Sequence, residues 1–302
     1  MKILYGVVTQ FKDVTDICYT KLFNINTNII KIPCTDGKRD HYFGDPILGT
    51  LKKIFIIDDE HVITEYDDTL TIMIDTISLT ITTTSNLEII QKTETIHKKL
   101  QLKYGSFKDE LPEQQMAVRY LSGNEKVLEI GGNIGRNSLI IASILGDNQS
   151  NLVSLECDAN ISNQLQENRD LNKFTFHIEN SALSKRKLIQ RGWDTIPSDV
   201  LIDGYTSVNI LTFEEIQQKY NIVFDTLVLD CEGAFYYILM DMPEILTNIK
   251  MIIMENDYWD ITKKQYVDEV LRKNNFKVEY SESGGWGPCF NNFFEVWISN
   301  FS

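Results

Sequence analysis

The segment Lys126-Val-Leu-Glu-Ile-Gly-Gly-Asn-Ile-Gly-Arg-Asn137 constrains the fold more tightly than any other part of the chain. Val127, Leu128 and Ile130 read as a buried strand, Gly131 to Gly135 as a turn, and Asn133 to Asn137 as the start of a helix. Glycines there let the main chain take positive φ and approach a ligand closely, while the helix start offers unpaired N–H groups. A strand, a bare turn and a helix N-terminus make a cofactor cradle if strands and helices alternate around them.

From residue 127 onward they do alternate. Val127–Ile130 leads to a helix through Ser138–Leu145, and Leu152–Leu155 to one through Ile161–Leu171. Thr175–Ile178 precedes a long excursion through Trp193, and Phe213–Lys219 reads as a short helix. Thr226–Leu229 is a strand followed by the helix of Phe235–Met240, and Met251–Met254 one followed by Lys263–Asn274. Lys277–Tyr280 and Phe293–Ile298 close the chain with no helix between them, so they should pair antiparallel. The expected α/β fold is therefore a mostly parallel, Rossmann-like sheet with its last strand reversed.

The first 92 residues are written differently. Leu70, Ile72 and Ile74 alternate with Thr69, Thr71 and Met73, the period of a half-buried strand, and Leu79 and Ile81 resume the pattern. Lys53–Ile57 is another strand, joined to Val62-Ile63 through Asp58-Asp59-Glu60-His61. The expectation is a small all-β domain over 1–92, suited to oligomerisation or glycan binding, and a second domain over 93–302. His41 and His61 read as surface or turn residues. Between Leu87 and Leu121 the pattern turns helical, with Pro112 in a first turn and Gly123 at a stop. This helix should pack on the edge of the sheet that begins at Val127.

Composition excludes several classes. A formal net charge of −14 argues against a nucleic-acid partner held by bulk electrostatics. No apolar run approaches a membrane span, and Met1–Val8 reads as a first strand, not a signal peptide. Cys18, Cys34, Cys157, Cys231 and Cys289 are scattered without a C-x-x-C pair, which suits free thiols in a reducing compartment and gives no zinc signature. The expected setting is intracellular, soluble and cytoplasmic.

Spacing bears on the cofactor. A dinucleotide site wants G-x-G-x-x-G after the strand, and Gly131-Gly-Asn-Ile-Gly135 lacks that register. Glu129 would crowd a pyrophosphate but could accept hydrogen bonds from a cationic ligand. S-adenosylmethionine has an amino group and a sulfonium in place of phosphates. Glu156, ending the next strand, is placed to hold ribose hydroxyls. Glu129 and Glu156 thus bracket a nucleoside with an amino-acid tail; the bland alternative is two strand-end acids facing solvent.

Several stretches then share one pattern: Glu129-Ile-Gly-Gly-Asn-Ile-Gly135, Glu156-Cys157, Glu167-Asn-Arg-Asp-Leu-Asn172, Asn180-Ser-Ala-Leu-Ser184, Leu229-Asp-Cys-Glu-Gly233 and Met254-Glu255. Through them, residues 105–300 resemble the FkbM family of S-adenosylmethionine-dependent O-methyltransferases. The departures are Glu for Asp at 129, Cys for Pro at 157 and Leu for Lys at 229. The resemblance implies a class I methyltransferase sheet and S-adenosylhomocysteine as product. The cofactor residues are expected to be Glu129, Gly131, Gly132, Asn133, Gly135, Asn137, Glu156, Cys157, Asp158, Ser181, Ala182 and Asp230. By the same resemblance the acceptor is a carbohydrate or small molecule. The Asn/Ile-rich composition is similar to that of proteins from large DNA viruses that build their own glycans.

Methyl transfer to a hydroxyl needs alignment and a base. Asp230 is the first candidate, Glu232 the second, and Glu255, with Asn256 and Asp257, could orient the acceptor. Against this stands a purely structural role, with the Asp-x-Glu-Gly turn capping the next helix. Grouped carboxylates could hold Mg²⁺, which the resemblance does not require. Trp193, Tyr205 and Trp286, with Lys185-Arg-Lys187 and Arg191, could grip a glycan, whereas Trp297 reads as core. The competing function is a non-catalytic glycan-binding or structural protein on a retained methyltransferase scaffold.

Overall fold

The computed structural model describes residues 1–300. The chain divides into two compact units, Met1–Gln91 and Lys92–Ser302.

The N-terminal unit runs β1 (Lys2–Val7), β2 (Gln10–Asp13), α1 (Thr15–Lys21), β3 (Phe23–Asn24), β4 (Ile29–Ile32) and α2 (Asp36–Phe43). It continues with β5 (Lys53–Ile57), β6 (Ile63–Tyr66), β7 (Leu70–Asp75) and β8 (Ile81–Ser85). Two antiparallel four-stranded sheets result, ordered β2-β1-β5-β6 and β3-β4-β7-β8. Alternate residues from both, Ile3, Tyr5, Ile54 and Ile56 with Ile30, Ile32, Ile72 and Ile74, form one apolar core, as period-two patterning requires. The two helices correct the all-β expectation. Helix α2 buries only Arg39 and Phe43, so its sequence shows no apolar stripe. Arg39 is held by the carbonyls of Pro33, Asp67 and Leu70 at 2.8–3.0 Å. His41 lies on α2 and His61 in the β5–β6 turn, where its φ is 65°.

Helix α3 (Leu87–His97) spans the boundary between the units, and α4 (Leu111–Tyr120) carries Pro112 in its first turn. There follow β9 (Val127–Ile130), α5 (Arg136–Leu145), β10 (Leu152–Leu155), α6 (Ala159–Leu171), β11 (His177–Glu179) and β12 (Ala182–Leu183). Next come β13 (Leu188–Arg191), β14 (Asp194–Pro197), β15 (Thr206–Val208), β16 (Ile210–Leu211) and α7 (Phe213–Tyr220). The chain ends with β17 (Thr226–Leu229), α8 (Phe235–Asp241), β18 (Met251–Glu255), α9 (Ile261–Lys273), β19 (Phe276–Glu282) and β20 (Phe294–Ser299). The main sheet has seven strands in the order β11-β10-β9-β17-β18-β20-β19. Its pairings are parallel from β11 through β18, and β20 runs antiparallel to both of its neighbours. Every residue of β9, β10 and β17 is buried, as in strands covered on both faces, and Glu129, Ser154 and Thr226 are the polar residues among them.

Two local expectations are corrected. Helix α4 packs against α5 and over β18 and β20, not on a sheet edge. The excursion after β11 folds into an antiparallel sheet ordered β14-β13-β15, plus a β12–β16 pair. Trp297 is fully buried, as expected.

A buried ion pair holds the reversed strand. Lys264 of α9 bonds Glu295 of β20 at 2.7 Å, and Glu295 also accepts from Trp297 Nε1 at 3.0 Å and Asn256 Nδ2 at 3.1 Å. Removing the lysine strands a buried carboxylate, which costs on the order of 3–5 kcal/mol. Lys264→Ala should therefore lower the urea midpoint sharply, whereas exposed Lys273→Ala should change the unfolding free energy by less than about 0.5 kcal/mol.

Candidate functional site

The order of strands reverses direction at β9: the chain passes outward through β10 and β11, then returns to begin again at β17. In open α/β sheets the carboxyl ends flanking such a reversal leave a crevice. Here the ends of β9, β10, β17 and β18 border a cleft of about 820 Å³, lined among others by Ile130, Gly131, Leu155, Glu156, Asp230 and Glu255.

The glycine turn closes tightly over the sheet. Gly131 and Gly132 both donate to the Leu155 carbonyl, at 3.0 and 2.8 Å, and Asp230 N donates to Ile130 O at 3.1 Å. Gly131 sits at φ 90°, and a Cβ there would overlap the Asp230 carbonyl oxygen. Past the turn, Asn133 N donates to Glu156 Oε2 at 3.0 Å and Asp158 N to Oε1 at 2.8 Å. The Asn180 side chain donates to the carbonyls of Glu156 and Cys157 at 2.9 and 3.1 Å. Glu156 is thereby fixed at the cleft wall beside Ser181, whose buried hydroxyl has no partner.

Of the residues singled out from sequence, Gly131, Asn133, Glu156, Cys157, Ser181, Ala182, Asp230, Glu232 and Glu255 line this cleft. Others lie outside it, for identifiable reasons. Asp158 is the N-cap of α6, accepting from the N–H groups of Asn160 and Ile161. Gly132 and Gly135 have no room for a Cβ against Ser154 and the Leu165 side chain. Glu129 is buried and accepts hydroxyl hydrogen bonds from Ser138 and, at 2.6 Å, Ser154. It faces, with Asn137, a void of about 10 Å³ beneath the glycine turn that Glu110, Glu113 and Asp230 also border. The Asn137 Oδ1 atom has no partner. Trp286 stands behind Trp259, ring centroids 4.3 Å apart, and it is Trp259 that lines the cleft.

The capping role weighed for the Asp-x-Glu-Gly turn falls elsewhere: Gly233 N donates to Asp257 Oδ1 at 2.7 Å. Asp230 and Glu232 border the cleft instead.

Sequence reasoning missed Glu110, Glu113, Asp241 and Trp259, whereas Arg186 and Trp193, both on the cleft, belong to the stretches it named. Glu110 and Glu113 arrive on α4, upstream of the glycine turn. Asn168 and Asn172 of α6 hold the segment before it: Asn168 Oδ1 accepts from Lys103 N at 2.7 Å and Asn172 Oδ1 from Gln101 N at 2.8 Å. Glu110 then bonds Arg136 at 2.5 Å and Asn133 Nδ2 at 3.2 Å. The Asn-rich end of α6 was the visible trace of this arrangement. Arg186 meets Asp241 in a bidentate pair at 2.5 and 2.7 Å.

The cleft is strongly acidic. Glu110, Glu113, Glu156, Asp194, Asp230, Glu232, Asp241 and Glu255 line it, and Arg186 is the one cation among its described lining residues. Burial is the first cause that raises Asp230 and Glu255 well above the ordinary carboxylate range. Repulsion from Glu110 and Glu113 adds to it at Asp230, and a hydrogen bond with Glu113 adds at Glu255. Burial also raises Glu156 and Glu232, and pushes Glu129 up to about 7 against the pull of its two serines. Among the described residues, no three His, Cys, Asp or Glu side chains group as a metal site, and no helix is long and apolar enough to cross a membrane.

No family model matches the chain, and no curated protein matches it. Among solved structures, an O-methyltransferase from Bacillus cereus in complex with SAH aligns at 13% identity and a TM-score of 0.39, covering 70% of this chain and 89% of that one. The ribosomal protein L11 methylase from Lactobacillus delbrueckii aligns at 11% identity and 0.41, covering 66% and 81%. The M. jannaschii tRNA m1G37 methyltransferase aligns at 13% and 0.39, covering 79% and 61%.

Because folding raises the Glu129 pKa, its contribution to stability is fully present below its ordinary 4.5 and is lost as pH rises through about 7. Glu129→Gln should flatten the fall in unfolding free energy that the parent shows between about pH 5 and about pH 8. Parallel curves for the two proteins would place the titration on other groups.

Proposed function

We propose that the unit from Lys92 onward is an S-adenosylmethionine-dependent methyltransferase that transfers its methyl group to a hydroxyl of a carbohydrate-sized acceptor. The observation that carries this reading is Glu156. Its carboxylate is held by two backbone N–H groups at the tip of β10, on the wall of a cleft at the strand-order reversal, where it can accept from both hydroxyls of a ribose. The cradle fits this cofactor on three further grounds. Gly131 keeps the turn against the Asp230 backbone, where a Cβ would strike its carbonyl oxygen, and leaves main chain on the cleft wall. The unpartnered Ser181 hydroxyl beside Glu156 can bond the edge of a base. Glu110 and Asp230, close to the turn, suit a ligand with an ammonium and a sulfonium, whereas a pyrophosphate would meet carboxylates and only an already paired arginine.

When bound, S-adenosylmethionine supplies a methyl group on a positively charged sulfur. The acceptor oxygen forms the new C–O bond as the C–S bond breaks, with its electron pair passing to sulfur and the hydroxyl proton to a carboxylate. Asp230, half-buried at the end of β17, is the proposed base, because its raised pKa suits it to take up a proton during attack. Glu232 is the second candidate, and Glu255 at the end of β18 orients the acceptor. The exposed indoles of Trp193 and Trp259 on the cleft offer stacking faces for a sugar ring.

Calorimetric titration with S-adenosylhomocysteine tests the reading. The parent should bind with one site, and Glu156→Ala should weaken binding by roughly tenfold or more, the loss of charge-assisted hydrogen bonds to the ribose. A parent that fails to bind overturns the proposal, and so does a Glu156→Ala variant that binds as tightly as the parent.

A further inference from the structure

One end of the cleft holds more negative charge than the cofactor reading uses. The C-terminal ends of β9 and β10, with Glu110 and Glu156, serve the proposed nucleoside and its amino-acid tail. Glu113, Glu232 and Glu255 line the cleft as well, Glu255 at the end of β18 and Glu113 on α4, which packs over that strand. Glu113 is 7% exposed, its Oε2 atom is buried without a hydrogen-bond partner, and its side chain lines the cleft. A carboxylate oxygen only accepts, so the missing partner is a donor. A buried acceptor left unsatisfied is costly, and a charged one more so.

The protein does not supply that donor from its own cations. Arg186, the one basic side chain described on the cleft, is committed to Asp241 by two hydrogen bonds and lies over the Tyr237 ring, 5.3 Å from its centroid. Lys263 donates to the Tyr237 hydroxyl at 2.9 Å. The same cleft presents Trp259, 80% exposed, whose rear face is covered by Trp286 and steadied in turn by Phe293, with ring centroids 6.0 Å apart. An indole face backed by other rings and open toward a cleft attracts cations through its quadrupole. Carboxylates and an indole are two independent signs of the same ligand charge.

We propose that the acceptor carries a protonated amine beside the hydroxyl to be methylated, held between Glu113, Glu255 and the face of Trp259, as in an amino sugar. This rests on the methyltransferase reading and names its substrate class. An acidic sugar would be repelled by the same wall, and a neutral one would donate to Glu113 only through uncharged hydroxyl or amide groups, without the charge assistance that an ammonium brings.

The experiment follows intrinsic tryptophan fluorescence of the protein saturated with S-adenosylhomocysteine, so that the cofactor's own amino group is satisfied first. It is titrated with glucosamine at a pH where its amine is protonated, with N-acetylglucosamine and with glucuronic acid. Glucosamine should half-saturate at a concentration roughly tenfold or more below that of N-acetylglucosamine, and glucuronic acid should give no saturable change. Glu113→Gln should bring the first two within about threefold while S-adenosylhomocysteine still binds. Glu255→Gln gives the same comparison should the first variant fail to fold. Equal binding of glucosamine and N-acetylglucosamine overturns the inference, as does a protein that binds S-adenosylhomocysteine but responds to no probe. A parent that does not bind S-adenosylhomocysteine would instead sink the methyltransferase reading beneath it.

Discussion

The contact between Gly131 and the backbone of Asp230 is the constraint on which the cleft depends. The ends of β9 and β17 lie so close that no side chain fits between them, and the turn is tied to β10 through the Leu155 carbonyl. That closeness sets the exit of three neighbouring strands at once. It brings Asn133 N onto Glu156 and places Asp230 at the cleft border without using its side chain as a structural bond. A Cβ at 131 would push these strand ends apart, and the later arrangement of the site would lose its frame.

Around this frame the sequence assigns polar residues to separate tasks. Asn168 and Asn172 hold the segment ahead of α4, and Glu110 ties the start of that helix to the glycine turn through Arg136 and Asn133. Asp158 caps α6, and Asp257 caps the turn after β17. Glu156, itself held by two backbone N–H groups, then stands with Asp230, Glu232 and Glu255 along the cleft at the ends of β10, β17 and β18. The row begins beside the glycine turn and shares the cleft with the exposed indoles of Trp193 and Trp259. Burial raises all four above their ordinary range, which suits a site that holds cations and exchanges protons.

Much of this was legible in the sequence because the strands of the main sheet are short, buried on both faces and separated by helices. Leu152–Leu155 and Thr226–Leu229 match their sequence limits residue for residue, since a short, mostly apolar run between turn and helix signals is buried as a whole. The excursion from 184 to 211 was less readable. Its strands mix exposed and half-buried residues, so neither period stands out. In the N-terminal unit, α1 and α2 were invisible because each has two turns and few buried side chains. The surroundings of Glu129 were not readable for another reason: its partners Ser138 and Ser154 are distant in the chain, and nothing local shows that they hold its carboxylate at the small void beside the larger cleft. Glu113 and Trp259 were missed in the same way, being brought to the site by tertiary packing of α4 and of the loop after β18.

The central claim is that Glu156 reads the ribose of a sulfur-bearing nucleoside above the glycine turn. A crystal structure of the protein with S-adenosylhomocysteine tests it most directly. The account predicts both ribose hydroxyls within about 3 Å of the Glu156 carboxylate, with the base beside Ser181 and the sulfur toward Asp230. A ligand seated elsewhere, or in the cleft with its ribose away from Glu156, would contradict it.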